Sequence, residues 1–147
     1  MFEDNKAMVR RLIEDVWNKG NLPLADELIA STYTGHDPST PELGRGPELE
    51  KKKVTLYRTA FPNLRVDIED MIAEREMVVA RWTIRGTHKG DLSGIAPTGK
   101  NITLSGVSIC RLSGGKIVEG WDNWDALGMY QQLGVAPEAI KTMAATR

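Results

Sequence analysis

Residues 64–88 read LRVDIEDMIAEREMVVARWTIRGTH, and their hydrophobic pattern repeats every two residues. The first part alternates apolar with charged residues, as a strand with one buried face does, at Leu64, Val66 and Ile68. From Met77 to His88, the alternation predicts a second strand whose even-numbered residues, Trp82 and His88 among them, share one face. A polar turn at 74–76 separates the two strands. This stretch therefore predicts a long antiparallel hairpin.

Downstream of this hairpin, the pattern predicts a loop, two further strands and a closing helix. The loop is rich in glycine and proline, and a glycine pair marks the turn between the strands. The predicted bounds are 89–99 for the loop, 100–112 and 117–124 for the strands, and 125–133 for the helix, which Gly134 ends.

Upstream of the hairpin, apolar residues recur at helical spacing. The pattern predicts helices over 5–18, from Asn21 to Ile29, and from Pro47 to Ala60, with a short strand around Tyr33. Helices that precede a run of hairpin-linked strands indicate an α+β fold, with residues 1–147 forming one domain. We expect a cone-shaped barrel, in which a curved antiparallel sheet and the amino-terminal helices enclose a pocket.

The charge balance excludes several classes of partner. The chain has 19 Lys+Arg and 20 Asp+Glu, so nothing recommends nucleic acid or an anionic membrane as partner. Three successive lysines, 51–53, are interpreted as the solvated face of a helix. The amino terminus does not resemble a signal peptide, and no stretch reaches the roughly 20 apolar residues of a membrane span. We therefore expect a cytoplasmic protein.

Few residues could bind a metal ion. Cys110 is the only cysteine, and His36 and His88 are the only histidines. A thiolate or imidazole site is hard to assemble from three such residues, so we expect neither a metal nor another cofactor. Cys110 lies in mid-strand without an evident partner base, which favours an inert buried thiol over a nucleophile.

Residues 119–125, EGWDNWD, form the densest aromatic and acidic cluster. Strict alternation along a strand places Glu119, Trp121, Asn123 and Asp125 on one face, and Gly120, Asp122 and Trp124 on the other. Asp122 and Asp125 are then kept apart. A two-carboxylate glycosidase site formed by this pair is therefore excluded.

Several segments together resemble the SnoaL-like polyketide and ester cyclases, a family with the nuclear transport factor 2-like fold. At the carboxyl end these are GGKIVEGW at 114–121, an aspartate four residues after Trp121, and QLG at 132–134. In the centre they are WTIRGTHKG at 82–90 and PTGK at 97–100. His36, followed by Pro38, also stands where this family often has a pocket histidine. The resemblance covers about residues 5–134 and is more specific for the family than for the reaction.

The resemblance implies an aspartate that acts as general acid/base in an intramolecular aldol ring closure, and by position this residue is Asp125. A carboxylate in a dry pocket can accept a proton from a carbon flanked by carbonyls. Asp125 also stands where a helix begins, so capping is the alternative role. His88 shares its predicted strand face with Trp82 and is therefore a candidate to polarise a substrate carbonyl, and His36 is a candidate for the same role at the opposite rim of the pocket. A solvent-exposed loop histidine and an ordinary turn remain the alternatives for these two residues.

Five residues are candidates for substrate binding, namely Trp82, Trp121, Asn123, Tyr33 and Tyr57. The tryptophans offer flat surfaces to a planar ring system, and the tyrosines offer a phenol to an oxyanion, although plain core packing is the alternative for all four aromatic residues.

The sequence thus favours a cofactor-free cyclase for a small apolar, carbonyl-rich molecule. The alternatives are a ligand-binding domain without catalysis, or a related isomerase, dehydratase or epoxide hydrolase. An epoxide hydrolase would need an arginine beside a second carboxylate, and Arg81 and Arg85 fall on the opposite strand face from Trp82. By analogy with the family, we also expect a homodimer that pairs through the outer face of the sheet.

Overall fold

The computed structural model describes residues 2–39 and 44–135, so the expected domain limits at 1 and 147 lie outside the described residues. The helices are α1 (Phe2–Arg11), which continues into a π-helical turn (Leu12–Trp17), α2 (Leu22–Leu28), α3 (Gly46–Ala60) and α4 (Ala126–Leu133). The strands are β1 (Ile29–His36), β2 (Arg65–Glu74), β3 (Met77–Thr87), β4 (Asn101–Ser113) and β5 (Lys116–Trp124). The predicted elements are all present, with bounds that shift by a few residues.

The five strands form one sheet in the order β1-β5-β4-β3-β2. The three hairpin contacts, β2 with β3, β3 with β4 and β4 with β5, are antiparallel as predicted. We expected an antiparallel barrel, and the structure differs from this expectation in two respects. β1 pairs with β5 in parallel, and the sheet is curved but open, with β1 and β2 at its two edges. β1 follows α2 and precedes α3, so no hairpin sets its direction. The alternation of apolar and polar residues does not predict which strand pairs with it.

The helices cover one face of the sheet, and the core lies between these two layers. The even-numbered residues of β3 point into this core, and Val78 and Ala80 are fully buried. In β2 the alternation shifts, because a bulge between Ile68 and Asp70 inserts an extra residue. Beyond the bulge, Met71 packs against the core.

The π-helical turn fixes the amino-terminal helix to the sheet. Its wider hydrogen bond runs from the Asn18 N–H to the Ile13 carbonyl at 3.1 Å. The Asn18 side chain then exchanges two hydrogen bonds with the backbone of Val66, one donated to its carbonyl at 2.9 Å and one accepted from its N–H at 2.6 Å. This contact holds Trp17 beside the inner face of β2.

Candidate active site

A largely apolar cavity lies between the inner face of the sheet and the helices. The empty space amounts to about 890 Å³, counting the part open to solvent. Its apolar walls come from the π-helical turn, β3, β4 and α4 and include Leu12, Ile13, Ile84, Ile102, Leu104 and Met129. The cavity can therefore accept an apolar molecule.

One side of this cavity carries a cluster of polar and charged groups, which we call the polar floor. It consists of Asp37, Glu50, Lys53, Ser108 and Asp122. The Lys53 ammonium lies 2.8 Å from Asp122 Oδ2 and 3.3 Å from Asp37 Oδ2. Ser108 Oγ donates to Asp122 Oδ1 at 2.5 Å. Each oxygen of Asp122 is thus held by one donor, so the carboxylate has a fixed orientation.

Asp122 is the more accessible of the two aspartates on the polar floor. Its side chain is 23% exposed, whereas that of Asp37 is 7% exposed. A carboxylate oxygen offers two lone pairs, and the protein donors engage one on each oxygen of Asp122. Asp122 is therefore the carboxylate that a ligand in the cavity can reach.

The electrostatics of the polar floor keep Lys53 charged. Burial by itself lowers the pKa of an ammonium group, but the nearby Asp122, Glu50 and Asp37 outweigh burial and raise the pKa of Lys53. A protonated, ion-paired lysine is not a nucleophile, which excludes Schiff-base chemistry at this residue. Burial, together with Asp122 and Glu50, also raises the pKa of the Cys110 thiol, as expected for an unreactive cysteine.

Aromatic side chains connect the polar floor to the cavity walls. The Trp82 Nε1–H donates to Ser108 Oγ at 2.9 Å, and the Trp124 Nε1–H donates to Asp37 Oδ2 at 3.1 Å. Tyr57 meets Trp124 edge to face, with ring centroids 5.7 Å apart. These contacts fix the flat faces of two indole rings beside Asp122.

Two glycines make room for these rings. A Cβ atom at Gly106 on β4 would collide with the Trp82 ring, and one at Gly120 on β5 would lie 2.5 Å from the Tyr33 hydroxyl. Since the absence of a side chain lets each ring lie against the sheet, Trp82 and Tyr33 can border the cavity.

Asp125, the residue expected to enter the pocket, lies outside it. Its side chain is exposed and caps α4, where Oδ1 accepts the Gly128 N–H at 2.9 Å. The capping alternative is therefore the role that the contacts show. Of the two aspartates in the 119–125 segment, Asp122, expected on the opposite face, is the one that borders the cavity.

The reversal has a physical cause in β5. Leu112 pairs with Ile117, but Arg111 pairs with Glu119, so Val118 is an extra residue in the ladder. Ile117 is fully buried, and strict alternation from it would turn residues 119, 121, 123 and 125 inward. The bulge at Val118 reverses this order, and Gly120, Asp122 and Trp124 face the cavity instead.

His36, Trp121 and Asn123 lie on the outer face of the sheet. The His36 ring stacks on Trp121 with centroids 5.4 Å apart, and its Nε2 lies 2.8 Å from Glu119 Oε2. The hydrogen bonds from His36 and Arg111 lower the pKa of Glu119. Asn123 is exposed. The structure thus does not bring these three residues to the cavity: the same bulge turns Trp121 and Asn123 of β5 outward, and His36 at the end of β1 pairs with Trp121.

His88 is fully buried and lies behind the cavity wall. Its Nδ1 accepts the Thr98 N–H at 3.2 Å, and its ring contacts that of Phe61, which lines the cavity. Among residues 2–39 and 44–135, Nε2 has no hydrogen-bond partner. His88 is therefore neither a solvent-exposed loop residue nor a member of the cavity lining.

Trp82, Tyr33 and Tyr57 border the cavity, where a substrate-binding role requires them.

Sequence reasoning missed the polar floor, and Lys53 in particular, which is 6% exposed and not part of a solvated face. The available signal was the placement of Glu50 and Lys53 on the apolar side of α3, next to Leu49 and Val54. Charged residues on a buried helical stripe are often functional.

The described part of the chain also bears on metals and membranes. Within residues 2–39 and 44–135, no three histidine, cysteine or acidic side chains converge in a way that could hold a metal ion. None of the helices in the same residues is long and apolar enough to cross a bilayer.

The α+β fold encloses an apolar cavity with carboxylates on its floor, and comparison with known proteins identifies the class of protein. The model of the SnoaL-like polyketide cyclase family matches residues 7–133. This chain belongs to that family. Its fold is the nuclear transport factor 2-like fold that the sequence resemblance implied.

The similar proteins include characterised enzymes and solved structures. The chain is 34% identical to aklanonic acid methyl ester cyclase DnrD of Streptomyces peucetius, over 86% of this chain and 88% of that protein. It is equally similar to DauD of Streptomyces sp. strain C5, over 86% and 80%. A proposed polyketide cyclase from Acidithiobacillus ferrooxidans superimposes with a TM-score of 0.80 at 36% identity, covering 89% of this chain and 94% of that one.

Proposed function

We propose that this chain is a cofactor-independent polyketide cyclase in which Asp122 is the general acid/base. The observation that carries the proposal is the orientation of the Asp122 carboxylate, which Lys53 and Ser108 hold at 2.8 and 2.5 Å on the floor of an apolar cavity. The similarity to aklanonic acid methyl ester cyclases supports a polyketide as the class of substrate.

The proposed reaction is an intramolecular aldol ring closure. Asp122 takes a proton from a carbon that flanks a carbonyl, and the resulting enolate carbon forms a C–C bond to a second carbonyl carbon of the same molecule. The oxygen of that second carbonyl receives a proton and becomes a hydroxyl, which returns Asp122 to its carboxylate form. Substrate and product are isomers, so no oxidant or reductant enters the balance.

The surroundings of Asp122 suit this role. Lys53 lies beside the carboxylate as a fixed positive charge, and Trp82 and Trp124 provide flat walls for a planar ring system. The arrangement does not favour epoxide hydrolysis through an arginine: Arg81 and Arg85 pair with Asp70 and Asp67 at exposed positions.

The test is turnover of aklanonic acid methyl ester, followed by chromatographic separation of the open and cyclised isomers. Asp122→Asn should lower turnover by roughly 10² or more, because an amide cannot accept the proton. Asp125→Asn is the matched control on the same strand end and should retain turnover. A ligand-binding domain without catalysis would bind the ester and leave it open in the wild type as well.

A further inference from the structure

The three carboxyl groups of the polar floor have different partners. Asp122 and Asp37 share the Lys53 ammonium, whereas Glu50 has no ion-pair contact with it. Glu50 Oε2 accepts one hydrogen bond, from the Trp17 Nε1–H at 2.8 Å. Oε1 is buried and has no partner among residues 2–39 and 44–135. Glu50 is therefore the group on this floor whose hydrogen bonding the protein leaves incomplete.

A buried carboxylate without a direct counter-ion is costly, and the protonated form relieves that cost. Burial raises the pKa of Glu50 and outweighs the opposing effect of Lys53, while the negative charges of Asp122 and Asp37 add to the rise. Because Oε2 already accepts from Trp17, the proton resides on Oε1. The resulting O–H donor then lacks an acceptor within the described residues, and a buried donor without one is unfavourable.

We propose that Glu50 acts as a neutral carboxylic acid that donates a hydrogen bond from Oε1 to a carbonyl oxygen of the substrate. The inference rests on the proposed cyclase function and adds a second catalytic residue to it. While Asp122 removes the proton from carbon, the Glu50 O–H stabilises the negative charge that develops on the enolate oxygen. Glu50 transfers no proton and ends the turnover as it began.

Tyr33 supplies a second neutral donor on the same side of the cavity. Its hydroxyl occupies the space that Gly120 leaves open, and burial, with a smaller effect of Asp122, raises its pKa. The phenol therefore stays protonated. A carbonyl-bearing ligand thus meets two O–H donors, Glu50 and Tyr33, and one base, Asp122.

Infrared spectroscopy of the protein without ligand tests the protonation state directly. The wild type should show a carboxylic-acid C=O band that Glu50→Gln lacks, and this band should disappear as the pH rises. The titratable groups that face Glu50 are Lys53, Asp37, Asp122, Tyr33 and Cys110, and the difference between the wild-type and Glu50→Gln spectra isolates the band of Glu50 from theirs. Identical spectra of wild type and Glu50→Gln in this region at neutral pH would overturn the proposal.

The ketone 1-tetralone serves as a probe of the donor. Its carbonyl stretch should shift to lower frequency on binding to the wild type, keep part of the shift with Glu50→Gln, whose amide N–H still donates, and lose most of it with Glu50→Leu. Turnover should fall by at least tenfold with Glu50→Leu and by less with Glu50→Gln. An unshifted carbonyl in the wild type, or equal shifts in wild type and Glu50→Leu, would overturn the proposal.

The same probe separates this inference from the proposed function. Asp122→Asn should abolish turnover and leave the shift of the 1-tetralone carbonyl in place, since Glu50 and Tyr33 are intact. If Asp122→Asn turns over normally while the Glu50-dependent shift persists, the assignment of Asp122 as the general acid/base fails and the hydrogen-bond donor remains. If the wild type leaves the ester open while the shift persists, the cyclase proposal fails and the donor remains.

Discussion

Lys53 on α3 and Asp122 on β5 form a buried ion pair, with 2.8 Å between Nζ and Oδ2. The pair joins a helix to the sheet across the floor of the cavity, and Asp37 completes the charge environment of the ammonium at 3.3 Å. The contacts that join the helix to the sheet are therefore also those that orient the proposed general acid/base.

Lys53→Met should destabilise the fold, because it leaves Asp122 and Asp37 without their cation. Loss of one partner of a fully buried pair typically costs about 3–5 kcal/mol in the free energy of unfolding, which is an upper bound here because the Asp122 side chain is 23% exposed. Urea denaturation measures this cost. Lys51→Met on the same helix is the control, and its exposed partner Asp26 predicts a cost below about 1 kcal/mol. Equal, small effects of both substitutions would contradict the role given to Lys53.

Asp125 should contribute to stability as a helix cap. Asp125→Ala removes the acceptor for the Gly128 N–H and should cost about 1 kcal/mol, whereas Asp125→Asn keeps an acceptor and should stay near the wild type. Thermal unfolding of the two variants measures the difference. An alanine variant as stable as the asparagine variant would show that the cap contributes nothing.

Gly120 and Tyr33 should show strong coupling. Gly120→Ala places a Cβ atom against the Tyr33 hydroxyl and should destabilise the protein by about 1–3 kcal/mol. Tyr33→Phe removes that hydroxyl, so the double variant should recover part of the loss. A double-mutant cycle in urea measures the coupling, and strictly additive effects would rule out the close contact.

The stability of the wild type relative to Glu50→Gln should fall as the pH rises. The pKa of Glu50 is raised in the folded chain, so the folded state binds a proton that the unfolded chain has released. The contribution is complete below the ordinary carboxyl pKa of about 4.3 and is lost as the pH rises through the raised value. Urea titrations from about pH 5 to about pH 9 test this, since the glutamine does not titrate. A pH-independent difference would contradict a raised pKa.

A second copy of this chain is the partner we propose for the outer face of the sheet. Ile72, Val79, Ile109 and Trp121 pair in register across β2 to β5 and form an apolar row, in which Ile72 is 65% exposed. Sedimentation should show a dimer at micromolar concentration, and Ile72→Lys should weaken it. A 16 kDa species at all concentrations in the wild type would refute this proposal.

Chelator treatment should leave turnover unchanged, since too few metal ligands are available in the sequence to form a site. Dialysis against a strong chelator before the cyclisation assay is the measurement. Loss of turnover that zinc or manganese restores would contradict the proposal.

The sequence predicted the elements of this fold well, because alternation and helical spacing report directly which residues are buried. It did not predict the parallel pairing of β1 with β5, which no local pattern encodes. The candidate site was predicted in part: Trp82, Tyr33 and Tyr57 border the cavity, whereas Asp125, His36, Trp121 and Asn123 do not. The alternation of apolar and polar residues does not reveal one extra residue in a strand. The extra Val118 reversed which set of β5 side chains faces the cavity.

Val118 affects how sites of this kind are compared between relatives. The residue has no partner in the ladder, so deletion of its single codon would remove the bulge and leave the pairing of Ile117 with Leu112 and of Glu119 with Arg111 unchanged. Asp122 would still face the cavity, in a strand that is one residue shorter. Relatives without the extra residue would thus present the same functional groups to a ligand, and a sequence alignment that omits the gap here would equate residues that lie on opposite sides of the sheet.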